Sequence, residues 1–207
     1  MQAWDNMKQR YTIYPGVQLG ANFAIEDFCI IGIPPFHKDH ENVPTVIGDG
    51  AIIRSHTVIY AGNKIGKHFQ TGNKANIREM NQIGNHVSVG TLTVIEHHTQ
   101  IGNNVRIHSQ AFIPEYSIIE DHAWIGPNVV LTNAKYPASP HAKKHLNGPV
   151  IKKHAKIGAN ATILPGIIIG KNALIGAGTV VVHDVPDGVV VAGNPGQIIG
   201  SITNLPY

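Results

Sequence analysis

The chain has 207 residues, of which 43% are hydrophobic and 14% charged, so it is long and apolar enough for one packed domain or a short solenoid. Its net charge of +3 is too mild to indicate a nucleic-acid partner. The single cysteine, Cys29, excludes an internal disulfide and a thiolate zinc cluster. The N-terminal residues lack a signal-peptide pattern, and no apolar run reaches the roughly 20 residues of a membrane span. These features predict a cytoplasmic protein without membrane insertion.

An aliphatic residue recurs at every sixth position along most of the chain. After an N-terminal arm predicted for residues 1–16, the register begins at Leu19, is regular from Ile47 to Leu131, and resumes at Ile151. An α-helix cannot hold a six-residue period on one face, because it turns every 3.6 residues. Each period fits one short strand and one corner, and three such units close a triangular coil. We therefore predict an all-β protein, a parallel β-helix over residues 17–187 with a C-terminal tail over 188–207.

Two stretches interrupt this register, and both are rich in Pro, His, Lys and Asn. They predict extruded loops at residues 32–46 and 133–150. Counted in whole coils, Ile31 and Leu131 belong to the same side of the triangle as Ile95. Both loops are therefore predicted to leave from one corner, where they frame a stretch of wall as a candidate site.

A candidate catalytic group lies at this corner. Because successive coils are about 4.8 Å apart, His97 is predicted to lie between Glu79 and Glu115. A carboxylate so close can fix the tautomer of an imidazole and raise its basicity, as a general base requires. We predict these three residues to be catalytic. Residues of this corner, of the second loop and of a facing corner in a neighbouring subunit are predicted to bind the acceptor substrate: Arg78, Asn81, Glu96, His98, His108, Gln110, Tyr116 and Tyr136.

A resemblance to a known family supports this choice of base. The segment Val94-Ile95-Glu96-His97-His98, followed by Ile101-Gly102-Asn103-Asn104-Val105, resembles the V-x-E-H-[DE]-x-x-I-G-x-x-V block of bacterial sugar N-acetyltransferases. The lipid A UDP-N-acetylglucosamine O-acyltransferases carry a catalytic histidine at the place of His97. The resemblance implies a left-handed winding of the β-helix. The chain has His98 where the family has Asp or Glu, so Glu79 or Glu115 is expected to support His97 instead.

The C-terminal half is similar to the acetyl-CoA-dependent branch of these enzymes, over residues 157–166, 175–178 and 193–195. The similarity implies acetyl-CoA, or another acyl-CoA, as the co-substrate. The residues implied to bind it are Lys156, Gly158, Gly176, Ala177 and Pro195. Because CoA carries several phosphate charges, we expect its pyrophosphate near Lys152, Lys153 and Lys156.

The second loop bears on the acceptor. It contains Thr132-Asn133-Ala134-Lys135-Tyr136-Pro137, with Tyr136 where galactoside and maltose O-acetyltransferases have a histidine. Similar T-N-x-K-Y-P loops occur in acetyltransferases that act on dTDP- or UDP-linked amino sugars. The resemblance thus implies acyl transfer to an amine of a nucleotide-linked sugar by a homotrimer, with no required metal. Transfer to a sugar hydroxyl is the near alternative.

Two alternatives belong to other classes of protein. A γ-type carbonic anhydrase uses the same β-helix with three zinc-binding histidines at a fixed spacing. His86 and His122 match one part of that spacing, but Pro127 stands where the third histidine is needed. The other alternative is a non-catalytic β-helix scaffold.

Overall fold

The computed structural model describes residues 10–35 and 43–206. These residues form three sheets that wrap around one axis as a left-handed β-helix of hexapeptide repeats. From β1 to β25 consecutive strands belong to consecutive sheets, whereas β26 and β27 both belong to the third; all strand pairs are parallel except that of these last two strands. The predicted fold class is confirmed.

The strands are short and are numbered in chain order. The first sheet contains β1 Thr12–Ile13, β4 Ile30–Ile33, β7 Val58–Tyr60, β10 Asn76–Ile77, β13 Val94–Ile95, β16 Phe112–Ile113, β19 Val130–Leu131, β22 Thr162–Ile163 and β25 Val180–Val181. The second contains β2 Val17–Leu19, β5 Thr45–Ile47, β8 Lys64–Ile65, β11 Gln82–Ile83, β14 Gln100–Ile101, β17 Ile118–Ile119, β20 Val150–Ile151 and β23 Ile168–Ile169. The third contains β3 Ala24–Ile25, β6 Ile52–Ile53, β9 Gln70–Thr71, β12 Ser88–Val89, β15 Arg106–Ile107, β18 Trp124–Ile125, β21 Lys156–Ile157, β24 Leu174–Ile175, β26 Val189–Ala192 and β27 Gln197–Ser201.

The aliphatic register fills the axis of the coil. In the regular coils each strand pairs with the equivalent strands of the coils below and above, so that Ile77 lies between Ile59 and Ile95. These three side chains, like Ile113 and Leu131 above them, are completely buried. Burial of one such side chain contributes about 1.5–3 kcal/mol. The repeated aliphatic positions therefore supply the core that holds the coils together.

One polar residue stands in the aliphatic register without breaking it. Thr71 is buried, and its hydroxyl accepts a hydrogen bond of 2.9 Å from the backbone N–H of Arg54. The hydroxyl of Thr57 lies 3.2 Å away. Because its polar atom has partners, this threonine avoids the penalty for burying an unsatisfied hydroxyl.

The corners are turns whose second residue adopts a left-handed backbone conformation. We call the connections from the first to the second sheet the first corner, from the second to the third sheet the second corner, and from the third to the first sheet the third corner. At the first corner Met80, His98 and Tyr116 have φ values of 63°, 57° and 64°. Asn and His tolerate this conformation better than most residues, which accounts for their frequency at the corners.

The coils extend beyond the predicted limits at both ends. Strand β1 lies within the segment predicted as an arm, because Ile13 fits the six-residue register and pairs with Ile31. Strand β26 lies beyond residue 187 and pairs with β24, with Val191 opposite Ile175. The stretch of chain from β24 to β26 is shorter than a regular coil, so a count of hexapeptide repeats does not identify β26. Residues 1–9 of the predicted arm and 36–42 of the first loop lie outside the described residues.

Both loops leave the first corner, as predicted. The first connects β4 to β5 and the second connects β19 to β20, each time from the first sheet to the second. The second loop contains a 3-10 turn, Ala142–His145, and another, Ile202–Asn204, follows β27. Within the described part of the chain, no helix has the length and apolar character to cross a membrane.

Candidate active site

The candidate site lies on the first corner, between the two loops. Glu79, His97, Glu115 and Asn133 recur once per coil and occupy the first turn position in four successive coils. The stacked triangular coils have the shape of a prism, and these side chains form a column along its outside. Next to it, Arg78 and Glu96 precede the turn, and His98 and Tyr116 follow the column residues. The structure thus brings the predicted catalytic residues together.

Glu79 is held by its neighbour in sequence. Its two carboxylate oxygens accept hydrogen bonds of 2.9 and 3.0 Å from Nε and Nη2 of Arg78. Burial by itself would raise the pKa of Glu79, but the hydrogen bonds and charge of Arg78 outweigh it and hold the pKa below its ordinary value. The carboxylate is therefore ionised and fully engaged with the guanidinium.

Glu115 lies one coil above His97. Its Oε1 is 3.8 Å from Nε2 of His97, too far for a hydrogen bond but close enough to attract the imidazole when that ring is protonated. Its Oε2 accepts a hydrogen bond of 2.7 Å from the side-chain amide of Asn133. Asn133 was missed in the sequence, although a step of one coil from Glu115 leads directly to it.

The hydrogen-bond partner of His97 is a histidine, not a carboxylate. Its Nδ1 lies 2.8 Å from Nδ1 of His98, and the two rings are almost perpendicular, with centroids 4.9 Å apart. Neither Glu79 nor Glu115, the two carboxylates expected to support His97, forms a hydrogen bond with its ring. Arg78 binds both oxygens of Glu79, and Glu115 faces the opposite nitrogen of the ring.

Glu96 adds a third acidic group to the site. Burial raises the pKa of Glu96, the charge of Arg78 acts against that rise, and the nearby Glu115 adds to it. Nη1 of Arg78 is 3.6 Å from Oε2 of Glu96, and the guanidinium lies over the ring of Tyr60, 5.0 Å from its centroid. Tyr60 was not predicted as a site residue, because it lies one coil below Arg78, outside the coils considered in the sequence.

Asn81 does not face the substrate side of the corner, contrary to the prediction. It is completely buried, and its Oδ1 accepts hydrogen bonds from the backbone N–H and the hydroxyl of Thr99. Its amide donates to the carbonyl oxygen of Arg78. The last turn position points inward, so this side chain stabilises the turn instead of binding a ligand.

Three other predicted substrate-binding residues lie away from the column. His108 and Gln110 are at the third corner, and the ring of His108 packs on Trp124 at a centroid distance of 4.6 Å. Burial lowers the pKa of His108, and the charge of Arg106 lowers it further. Tyr136 lies on the second loop, is 68% exposed, and contacts Lys135. In one chain these residues do not join the His97 cluster.

Four of the predicted CoA-binding residues line one groove on the third sheet. Lys156, Gly158, Gly176 and Ala177 are joined there by residues that the sequence analysis did not identify: His122, Trp124, His154, Leu174 and Ile175. Gly158 is also required by the fold, since a Cβ atom there would lie 2.5 Å from the backbone nitrogen of Ala177. Trp124 and the stacked pair His122 and His154 offer flat surfaces beside the Lys156 ammonium.

The remaining predicted CoA contacts lie around this groove. Pro195 is in the turn between β26 and β27, and Ala192, at the end of β26, lies next to Gly176 of the groove. Lys152 forms an ion pair of 2.9 Å with Glu120, and Lys153 lies 3.6 Å from Asp121. Two of the three lysines expected at a pyrophosphate are therefore engaged by carboxylates, and Lys156 lines the groove.

The His97 column and the groove lie on opposite sides of one prism. The column is at the corner that joins the first and second sheets, and the groove runs across the third sheet. In a triangle a corner is opposite the third side, so a ligand in the groove of one chain does not reach His97 of that chain. Among residues 10–35 and 43–206, no group of three or more His, Cys, Asp or Glu side chains is arranged to hold a metal ion.

Comparison with known proteins identifies the type of repeat. Residues 82–115 and 148–183 match the model described as bacterial transferase hexapeptide (six repeats). These two stretches of the chain therefore carry hexapeptide repeats of the bacterial transferase type. The UDP-N-acetylglucosamine acyltransferase LpxA of Bacteroides fragilis 9343 aligns with 96% of this chain and 75% of its own, with a TM-score of 0.63 and 16% identity. That likeness supports the fold.

Two curated relatives are similar in sequence over shorter stretches. A galactoside O-acetyltransferase from Lactococcus lactis subsp. lactis (strain IL1403) is 42% identical over 93 residues, which cover 43% of this chain and 45% of that protein. A dTDP-3-amino-3,6-dideoxy-alpha-D-galactopyranose 3-N-acetyltransferase from Aneurinibacillus thermoaerophilus is 49% identical over 53 residues, covering 26% and 28%. The chain thus spans less than half the length of these relatives.

Proposed function

We propose that this protein is an acyltransferase that moves an acetyl group from acetyl-CoA to an amine of a nucleotide-linked sugar, in the cytoplasm, with His97 as general base. The observation that carries the proposal is the position of Nε2 of His97. The side chain is 26% exposed, and its Nε2 faces the carboxylate of Glu115 at 3.8 Å without a hydrogen bond to it. An attacking N–H group has access to this nitrogen, and the proton that it gives up arrives beside a carboxylate.

The proposed reaction needs one base and one stabilising charge. The neutral amine attacks the thioester carbonyl carbon, and the C–N bond forms as the C–S bond breaks. Nε2 of His97 takes the proton that the nitrogen loses and passes it to the departing thiolate, so the products are an amide and free CoA. The charge of Glu115 stabilises the imidazolium that exists between these two transfers.

The groove on the third sheet supports an acyl-CoA as the donor. Its lining combines the ammonium of Lys156 with the indole of Trp124 and the aliphatic Leu174, which suit phosphate, adenine and pantetheine groups respectively. Gly158 and Gly176 have no side chains, so they leave room in the groove for a long, thin ligand. The groove is therefore our proposed binding site for the donor.

The acidic character of the corner supports an amine acceptor. Among the described residues, Glu79, Glu96 and Glu115 surround His97 with Arg78 as the fixed positive charge nearby, so the site favours an acceptor that donates hydrogen bonds, as a neutral amine does. The similarity to a nucleotide-sugar N-acetyltransferase points the same way. The longer match to a galactoside O-acetyltransferase favours the second candidate, transfer to a sugar hydroxyl.

A homotrimer would complete the site. Because the column and the groove are on opposite sides of the prism, the donor in the groove of one subunit must meet His97 of another. Threefold cyclic symmetry allows each first corner to face the third sheet or third corner of its neighbour and closes without forming filaments. His108 and Gln110, at the third corner, are the proposed contribution of that neighbour to the acceptor site.

A thiol-release assay tests the function. The panel contains nucleotide-linked amino sugars, the same sugars with a hydroxyl in place of the amine, and no acceptor. We expect release of CoA with an amine acceptor, and a loss in kcat of about 10²- to 10⁴-fold for His97→Asn, with a smaller change in KM. His86→Asn, at the second corner, is the control. Release of CoA with hydroxyl acceptors alone would establish O-transfer. If no acceptor causes release, the non-catalytic β-helix scaffold is the alternative that stands.

A further inference from the structure

The contact between His97 and His98 restricts where their protons lie. Each neutral imidazole has one N–H and one lone pair, so two Nδ1 atoms at 2.8 Å form a hydrogen bond only if one donates and the other accepts. The Nδ1 that donates leaves its own Nε2 with the lone pair. The direction of this one bond therefore decides whether Nε2 of His97 can accept a proton.

We propose that His98 is a positioning residue that accepts the Nδ1–H of His97 and so holds the lone pair of His97 on Nε2. In this arrangement a neutral imidazole does the work of an orienting carboxylate. Among the described residues, the carboxylate paired with His97 lies on the Nε2 side of the ring, at Glu115. The oxygens of Glu79 are bound by Arg78, which leaves His98 as the group at Nδ1.

When His97 carries a second proton, the direction of the bond is fixed by the chemistry of the imidazolium. An imidazolium carries a proton on each nitrogen and has no lone pair, so a protonated His97 can only donate through Nδ1. Nε2 of His97 is the nitrogen that faces Glu115, at 3.8 Å, so a proton gained there lies beside a carboxylate. If His97 also donates when neutral, a proton can arrive at Nε2 without any change in the bond to His98.

The backbone at His98 allows a clean test. Met80 and Tyr116 occupy the same turn position one coil below and above, with φ values of 63° and 64° against 57° for His98. A His98→Met variant therefore keeps a side chain that this turn already accepts, and it removes the acceptor. Asp also tolerates this conformation and restores an acceptor, so His98→Asp is the matched rescue.

The test is ¹⁵N NMR of histidine-labelled full-length protein, at a pH where both imidazoles are neutral, with signals assigned from single variants. We expect His97 to carry its proton on Nδ1 in the wild type and in His98→Asp, and to change to the Nε2–H form in His98→Met. The control His86→Met leaves the His97 signals unchanged. An Nε2–H form of His97 in the wild type, or no change in His98→Met, would overturn the proposal.

Kinetics provide a second readout, which rests on the proposed function. His98→Met is expected to lower kcat by about 10- to 100-fold with little change in KM, the usual effect of losing an orienting partner. His98→Asp is expected to recover most of that loss. If His97→Asn remains active while the NMR result holds, the proposed function fails and the positioning of His97 by His98 stands.

Discussion

The side-chain amide of Asn133 donates a hydrogen bond of 2.7 Å to Oε2 of Glu115, one coil below it. Asn133 begins the second loop and is almost completely buried, so it connects the loop to the column that contains His97. The other oxygen of Glu115 is left to face the imidazole. The start of the loop therefore sets the orientation of the carboxylate that would stabilise a protonated base.

Loss of this amide should reduce turnover. In Asn133→Ala the carboxylate of Glu115 loses its partner and can rotate away from His97. We expect kcat to fall about 3- to 10-fold, the worth of one hydrogen bond, with an unchanged KM for acetyl-CoA. Steady-state kinetics measure this. Asn103→Ala removes a similar contact, to Asp121 at the second corner, and should leave kcat unchanged. Equal losses in both variants would contradict the assigned role.

The Arg78–Glu79 pair should make stability depend on pH. The folded state holds the pKa of Glu79 below its ordinary value of 4.5, so the carboxylate stabilises the fold above that pH. This stabilisation is lost as the pH falls through the lower, folded-state value. Glu79→Gln should therefore reduce the free energy of unfolding at pH 7 by about 1–3 kcal/mol, toward the low end because Arg78 is partly exposed.

Urea unfolding at pH 7 and at pH 3 measures the effect, and the difference between wild type and Glu79→Gln should narrow at pH 3. Glu26→Gln is the control, because Glu26 pairs with Arg54 at the third corner and both side chains are well exposed. That variant should lose less stability at pH 7. A loss from Glu79→Gln that is the same at both pH values would contradict the prediction.

Asn81 should affect stability and not substrate binding. Asn81→Ala removes the acceptor for the N–H and hydroxyl of Thr99 inside a closed turn. We expect the free energy of unfolding to fall by about 1–3 kcal/mol, because buried donors lose their partner. Kinetics of the folded variant should show a KM for the acceptor close to that of the wild type. A raised KM without loss of stability would instead assign Asn81 to the binding site.

Subunit mixing should restore activity if the site lies between chains. We expect a particle with three times the 22.3 kDa mass of one chain by light scattering. His97→Asn keeps the groove intact, and Trp124→Ala keeps the column intact. Co-expression of the two variants with different tags should yield mixed trimers with clear activity, because one interface then joins an intact His97 to an intact groove. Mixed particles no more active than the two variants alone would contradict a shared site.

Much of the architecture follows from the sequence, since the register is a local property. A residue such as Ile95 points inward because its strand is short and its turn is tight, and the same relation repeats in every hexapeptide. The regular coil then stacks Glu79, His97 and Glu115, and the two breaks in the count show that both loops leave one corner. Extending the same count by one coil in each direction identifies Ile13 and Asn133.

The tertiary structure alone decided which groups meet within that frame. The spacing of the repeat predicts that His97 lies between two carboxylates, but the side-chain torsions at a turn depend on neighbours in the same turn and in the next coil. Arg78 binds the carboxylate of the adjacent Glu79, Asn133 binds one oxygen of Glu115, and the imidazole of His97 forms its hydrogen bond with His98. Asn81 points inward for a related reason, because the amide satisfies backbone groups that the closing turn would otherwise leave without partners.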